Sequence, residues 1–384
     1  MTKTKLLLCA TGVALACAGA QGARADPLGI PAMGASLSAD PNPTNVDAGP
    51  FGKIYVTGAV SGLALTQDHA AFGDVDTRAD ISNAELFVQK TDGPVQFFLQ
   101  VGAYSLPSLG TPYFKASQIT RDTYGVAPQA FLKFVPSASF NIIVGKLPTL
   151  IGAESTFTFE NLNIERGLLW NQEPAVSRGV QGSYSKGPLT VSVSLNDGFY
   201  SNRYNWVSGL VSYAFTPRDS LTLVGGGNFD HSSQSSFATP IAQNNGEIFN
   251  AIFTHNAGPL TIIPYFQYTR VPATPSAGIV HQASTTGGAI LAKYSVTPKF
   301  NVVVRGEYIS STGKNVLGAP SLLYGAGSQA WSLTVTPTYQ FKVFFLRAEL
   351  SYTRIESATP GFAFGPFGQA DSQTRGLIET GVLF

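Results

Sequence analysis

Between Leu189 and Asn196 the side chains alternate without a fault. Leu189, Val191, Val193 and Leu195 share one parity, and Thr190, Ser192, Ser194 and Asn196 share the other. A period of two puts successive side chains on opposite faces of a strand, so this segment has one apolar and one polar face. The pattern returns over 331–340, where Trp331, Leu333, Val335 and Tyr339 oppose Ser332, Thr334, Thr336, Thr338 and Gln340. It returns again over 343–352, where Phe344, Leu346, Ala348, Leu350 and Tyr352 oppose Phe345, Arg347, Glu349 and Ser351. Each run is about ten residues long, the length that crosses a bilayer at a tilt.

The runs come in pairs around short turns. "TDGP" (91–94), "PSAS" (136–139), "SKGP" (185–188), "TPRDS" (216–220), "NAGP" (256–259), "VTPKF" (296–300) and "TYQFK" (338–342) each separate two alternating segments. Their Pro, Gly, Asp and Asn content suits tight turns. Between successive hairpins lie longer stretches rich in Ser, Gly, Pro and Asn, near 67–79, 105–127, 148–177, 197–205, 230–246, 272–284, 312–328 and 357–374. One strand from Lys53 to Thr66, seven hairpins and a C-terminal strand make sixteen. The expectation is an all-β chain, a transmembrane antiparallel barrel with short turns at one rim and long external loops at the other. A β-propeller also repeats about every 40 residues, but each blade needs four short strands where this chain has two long ones.

Composition supports the membrane setting. Charged residues are 12% of the chain, against roughly 25% in an ordinary soluble domain. Yet after residue 25 no stretch of about 20 mostly apolar residues could form a spanning helix. The first 25 residues, "MTKTKLLLCATGVALACAGAQGARA", carry Lys3 and Lys5, an apolar run from Leu6 to Ala20, and Ala23-Arg24-Ala25. That is the layout of a cleaved secretory signal; a lipoprotein signal ending at Cys17 fits less well, because Leu15 sits one residue too close to the cysteine. Both cysteines, Cys9 and Cys17, fall inside the signal, so the mature chain has no disulfide. Without Lys3, Lys5 and Arg24, 21 of the 24 basic residues remain against 23 acidic ones, a net of −2 that gives no reason to expect nucleic acid. Residues 26–50, rich in Pro, Gly and Ala without a period, read as a flexible leader, and 51–384 as the barrel.

Parity then sorts the charges. Glu85, Lys133, Lys293, Arg305, Glu307, Arg347, Glu349 and Glu379 fall on the polar, inward face, as does Arg375. An Arg-x-Glu pair recurs in "VRGEY" (304–308) and "LRAEL" (346–350). Such groups either fill the lumen as paired, solvated residues or set the field felt by a passing ion. The segment 148–177 is the longest well-marked loop. It carries Glu154, Glu160, Glu165, Arg166 and Glu173, with Lys146 and Arg178 at its roots, and the apolar Phe157, Phe159, Leu168, Leu169 and Trp170. A loop of about 30 residues with this much apolar content packs on something. Folded inward it would constrict the lumen and set acids against wall cations; folded outward it would be a cap or a subunit contact.

"GKLPTLIGAE", "ENLNIERGLLW", "EPAVSRGVQGSYS" and "SLNDGFY", over about 145–200, resemble the β-barrel porin family called OmpL-like. In that pattern a strand ending in Gly-Lys leads to a long loop with an Asn…Arg-Gly segment, and a Pro and a Gly-Val strand start follow. Glu165 stands where the family usually has Ser. The resemblance implies an outer-membrane channel and brings no substrate with it. Together with the alternation it leads us to expect a porin for passive diffusion of small hydrophilic solutes or ions. No cofactor is expected. The expected partners are outer-membrane lipid, the barrel-assembly machinery and, by analogy with other 16-stranded porins, two further copies in a homotrimer.

Other functions are weaker. Of His69, His231, His255 and His281, two follow an aspartate ("QDHA", 67–70; "FDHS", 229–232), which would be the start of a rim-active hydrolase. Neighbours on a strand point to opposite faces, and the histidines show no metal-ligand spacing, so an enzyme is not expected. A structural or receptor barrel plugged by its own loops is the third reading. Tyr55, Tyr104, Phe134, Tyr213, Tyr308 and Tyr339 suit interfacial girdles, and only Phe87, Phe98 and Phe345 read as inward aromatics. The chain closes on "TRGLIETGVLF". There Ile378, Val382 and Phe384 share the outward parity, and a terminal aromatic resembles the signal read by outer-membrane assembly machinery.

Overall fold

The computed structural model describes residues 28–31, 33, 36–313 and 322–384. The signal expected over 1–25 lies outside them. The strands, in chain order, are β1 (Thr44–Asp47), β2 (Lys53–Gln67), β3 (Thr77–Lys90), β4 (Val95–Tyr104), β5 (Gln129–Ser137) and β6 (Phe140–Pro148). Then come β7 (Val176–Lys186), β8 (Leu189–Asn196), β9 (Trp206–Ala214), β10 (Asp219–Asn228), β11 (Glu247–Ala257) and β12 (Leu260–Val271). The last five are β13 (Ala283–Thr297), β14 (Phe300–Ser311), β15 (Gln329–Phe341), β16 (Phe344–Ser357) and β17 (Ser372–Leu383).

From β2 to β17 each strand pairs antiparallel with the next, and β17 returns to pair with β2. Sixteen strands thus close into a barrel, which leaves no backbone edge facing lipid. Closure is in register from Leu383↔Ala59 to Arg375↔Gln67. Gly58 and Phe384 extend it by two backbone bonds of 2.7 and 3.0 Å. Gly58 is needed here: a Cβ on it would lie 2.5 Å from the Phe384 ring.

The rims are unequal, as expected. Seven short turns join the hairpins at one rim and eight longer loops cross the other. One turn is shifted. Thr338–Phe341 of "TYQFK" continue β15, and the reversal falls on Lys342 and Val343, with Lys342 at φ 55°. Alternation decides exposure: Leu195, Leu333, Leu346, Leu350 and Ile378 are exposed outward, while Ser192, Ser194, Thr334, Thr336 and Ser351 are buried inward. β3 carries a bulge at Ser82, which keeps Asn83 and Glu85 inward and also turns Asp80 and Arg78 inward. Among the expected girdle aromatics, Phe134, Tyr213, Tyr308 and Tyr339 are exposed outward. Tyr104 is not one of them: it shares the inward parity of Phe98 and Gln100 and is fully buried. Tyr55 also has inward parity, opposite Gln89.

The stretch expected as a flexible leader makes specific contacts along its described part. β1 pairs with residues 53–56 of β2, just past the point where the chain end stops covering that strand. Leu37 packs among Phe87, Phe98 and Phe345, and Ser36 Oγ donates to the carbonyl of Leu162 at 2.7 Å. Asn301 Nδ2 donates to the Ser36 carbonyl at 2.9 Å, and Gln340 brackets Ser38 with two bonds. This segment therefore lies inside the short-turn mouth.

Candidate functional site

The connection between β6 and β7, residues 149–175, folds into the barrel. Its apolar side chains explain the direction. Phe157 meets the edge of Tyr104 at 5.2 Å, and Phe159 lies 5.5 Å from Phe87. Leu162, Leu168 and Leu169 join Ile252, Tyr265, Leu291, Val303 and Ile309 in a second buried cluster. Phe87, Phe98 and Phe345 thus form part of the seat of this loop. Burying such side chains stabilises by roughly 1.5–3 kcal/mol each, so an inward loop is favoured over one splayed into water.

The loop backbone is then held by the wall charges. Arg347 donates to three loop carbonyls, Thr158 at 2.8 Å, Asn161 at 3.1 Å and Leu162 at 2.7 Å. It also pairs with Glu379 at 3.4 Å. Arg305 bridges Glu154 at 2.6 Å and the Glu165 carbonyl at 2.7 Å, and pairs with Glu307 at 3.2 Å. Arg375 holds the Glu165 carboxylate at 2.9 Å and the Ser108 carbonyl at 3.0 Å. The glutamates do the converse. Glu349 accepts the amides of Ile164 (2.6 Å) and Glu165 (2.9 Å) and the Thr336 hydroxyl. Glu307 accepts the amide of Leu168 at 3.1 Å and the Ser332 hydroxyl at 2.8 Å. The two Arg-x-Glu pairs are therefore adaptors: their arginines take loop carbonyls and their glutamates take loop amides. Gly167 permits the close approach, since a Cβ there would meet a Glu307 carboxyl oxygen at 2.0 Å.

Glu154 also accepts the Gly167 amide at 2.7 Å, and Glu173 accepts from the Tyr265 hydroxyl. Glu85 is buried on β3 and accepts from Gln100 at 2.6 Å. Glu160 is buried at the end of a short 3-10 turn, Thr158–Glu160. Arg166 is fully buried with its guanidinium 5.2 Å from the Trp170 ring; among the described residues no protein group accepts a hydrogen bond from that guanidinium. Lys133 and Lys293 keep the inward parity toward the short-turn rim.

Lys146 and Arg178 stand elsewhere. They face each other across β6 and β7 on the outward parity, opposite to Leu147 and Ser177. Lys146 Nζ donates to the carbonyls of Tyr124 and Ala127, and Arg178 bonds Asp197 at 2.7 Å and lies 3.9 Å from the Tyr200 ring. They brace neighbouring rim loops and do not line the constriction, because a strand root gives its side chains to alternating faces. Several partners carried no sequence signal of their own: Asn163, which donates to Thr336 at 2.6 Å; Gln267, which donates to the Leu169 carbonyl at 2.9 Å; and Asn250, which accepts the Gly152 amide at 3.2 Å. The inward parity of Asn250, Gln267 and Thr336 was readable, but not what they meet.

The opposite wall is different. On β7 to β10 no described inward position is charged; the row includes Gln181, Ser183, Ser192, Ser194, Ser208, Ser212, Ser220 and Thr222, and also Trp206, Leu210 and Val224, which pack with Leu150 and Ile151 of the loop. Neighbouring hydroxyls bond each other, Ser183 to Ser192 at 2.9 Å and Thr222 to Ser212 at 2.8 Å.

The family described as "putative beta-barrel porin-2, OmpL-like" matches residues 53–384, the whole barrel from β2 to Phe384. The chain belongs to this porin family. A comparison with curated proteins finds no match. Among solved structures, the porin resembles in-vitro folded OmpT of Vibrio cholerae, 13% identical over 88% of this chain and 98% of that one, with a TM-score of 0.57. It resembles the outer-membrane channel DcaP of Acinetobacter baumannii at 12% identity over 86% and 97%, TM-score 0.58. A trimer form of Vibrio OmpT aligns at 11% identity over 86% and 99%, TM-score 0.55. At these identities the likeness is one of fold. This porin is a protein of the bacterial outer membrane.

Proposed function

We propose that the porin passes small hydrophilic solutes and ions passively along the hydroxyl-lined wall of β7–β10, with the 149–175 loop as a fixed constriction. The observation that carries this reading is the division of the lumen. Arg305, Arg347 and Arg375 and the glutamates of the same wall are committed to the loop, while the inward positions of β7–β10 carry no charge. Paired charges exert little field at a distance, so solute size should count for more than solute charge. Around the loop, Glu154, Glu165, Glu173, Glu307, Glu349 and Glu379 outnumber Arg166, Arg305, Arg347 and Arg375, which favours cations weakly. No catalytic role is assigned. His69 is engaged with the Ser372 carbonyl at 2.8 Å, and His255 pairs with Asp219 at 2.6 Å on outward parity, away from the lumen.

Phe384 is proposed as the terminal signal for the barrel-assembly machinery. The trimer form of the Vibrio protein supports a homotrimer here. A second reading, a barrel plugged at the short-turn mouth, is favoured by Leu37 and Ser36 beneath the loop tip. Swelling of protein-loaded liposomes separates the two. A neutral pentose and a zwitterion of similar size should enter at rates within about twofold of each other. Absence of swelling with both would leave the plugged barrel.

A further inference from the structure

A groove of about 750 Å³ lies outside the barrel, at the long-loop rim, between the outer faces of β15 and β16 and the 358–371 connection. Its floor is aromatic. Trp331 and Tyr352 are outward-facing diagonal neighbours on adjacent strands, their ring centroids 5.5 Å apart and their planes 55° to each other. Its edge is polar. Arg354 Nη1 donates to Asp371 Oδ1 at 2.7 Å, both side chains about half exposed, and Glu356 and Gln369 line the same space. The overhanging wall is tied at several points. The Ile355 amide bonds the Asp371 carbonyl at 2.7 Å, Phe364 and Ala370 exchange two bonds of 2.8 Å, and the Thr359 amide reaches the Tyr324 carbonyl at 3.2 Å. The groove is thus preformed, and its volume falls within the roughly 300–1,000 Å³ of small-molecule sites.

An interfacial girdle needs only exposed rings; here the rings floor a recess whose edge combines guanidinium, carboxylate and amide groups. That combination suits a sugar. The C–H face of a pyranose is apolar and lies on an aromatic ring, while its hydroxyls each donate and accept. Asp371 and Glu356 accept, Arg354 donates, and Gln369 does both. Two carboxylates against one guanidinium leave the groove acidic, which disfavours a phosphate. An acyl chain in the groove would strip water from Arg354 and Asp371 without replacing it. We propose that this groove binds a neutral hexose unit. Such a unit can come from the glycolipid of the surrounding outer leaflet or from a free oligosaccharide. The site is outside the lumen, so the proposal stands apart from the channel reading.

Two probes test it on the folded full-length porin in detergent: maltohexaose followed by calorimetry, and lipopolysaccharide retained on the immobilised protein. Trp331→Leu and Asp371→Asn are compared with wild type, and Tyr213→Leu, an outward aromatic away from the groove, is the control. Heat-modifiable mobility confirms that every variant is folded. Wild type and Tyr213→Leu should bind at least one probe, and the two groove variants should lose tenfold or more in affinity for it. Maltohexaose alone would mark a free saccharide as the source, and lipopolysaccharide alone the leaflet. No binding of either probe, equal binding by all folded variants, or displacement by inorganic phosphate and not by glucose would overturn the proposal.

Discussion

Arg347 shows what a single side chain does in this barrel. One guanidinium meets three loop carbonyls and a glutamate, with none of its side chain exposed. A guanidinium offers five donors in a planar fork, whereas an ammonium is a point. Arg347→Ala leaves Glu379 short of its cation and three carbonyls short of a donor, a loss of about 3–5 kcal/mol by the usual cost of breaking a buried pair. Arg347→Lys should recover only part of it. Thermal melts of the two folded variants check the order, and a lysine variant as stable as wild type would count against the tether. Asp74, in the loop after β2, is a second case. Burial works against its ionised form, but the amides of Tyr113 and Val75, the Gln67 amide group and Arg78 outweigh it and hold the carboxyl below the usual range. A depressed carboxyl stabilises above its unfolded pKa, and that stability is lost as pH falls through the folded value. The Tyr113 amide should therefore be well protected from hydrogen exchange at pH 7 and lose protection only in acid below about pH 4. Loss of protection already near pH 6 would contradict this.

At the scale of elements, strands were far more legible than loops. Alternation is a local property, and membrane crossing makes it strict, because outward positions must be apolar and inward ones polar. Hence Ser192, Thr334, Arg347 and Glu349 were sorted inward by parity alone. Three things escaped. The bulge at Ser82 shifts parity by one residue without any local composition cue. Lys146 and Arg178 belong to strand ends whose parity faces out, though they are adjacent in sequence to the loop. Residues 36–47 gave no period because their contacts reach across the barrel, to Leu162, Asn301 and Gln340. The inward loop was suggested by its apolar content, but its tethers are pairs distant in sequence. If the loop is a fixed element, locking it changes nothing. Asn163→Cys with Thr336→Cys, whose native side chains meet at 2.6 Å, can be bridged by a short bifunctional thiol-reactive cross-linker in a mature chain expected to have no cysteine of its own. Bridged and unbridged forms should then conduct alike. A much larger conductance in the unbridged form would show that the loop swings.

At the scale of the whole molecule, closure and asymmetry matter most. At Phe384, β17 reaches Gly58 of β2, and β1 covers the residues of β2 that lie beyond. Removing Phe384 costs two backbone bonds and the proposed assembly signal, so the fraction of heat-modifiable barrel in cell envelopes should fall several-fold. An unchanged fraction would leave Phe384 as a packing residue only. Across the lumen, a tethered charged wall faces an uncharged one, where Leu150 and Ile151 of the loop pack on Trp206, Leu210 and Val224, and we propose that solutes pass beside that contact, along the serine and threonine positions, without energy input. Single-channel recording of the purified porin in planar bilayers under a salt gradient tests this most directly. Steady, nearly ohmic openings and a small reversal potential of cation-selective sign are expected. Bilayers that stay silent at every voltage, or a strongly anion-selective reversal potential, would contradict it.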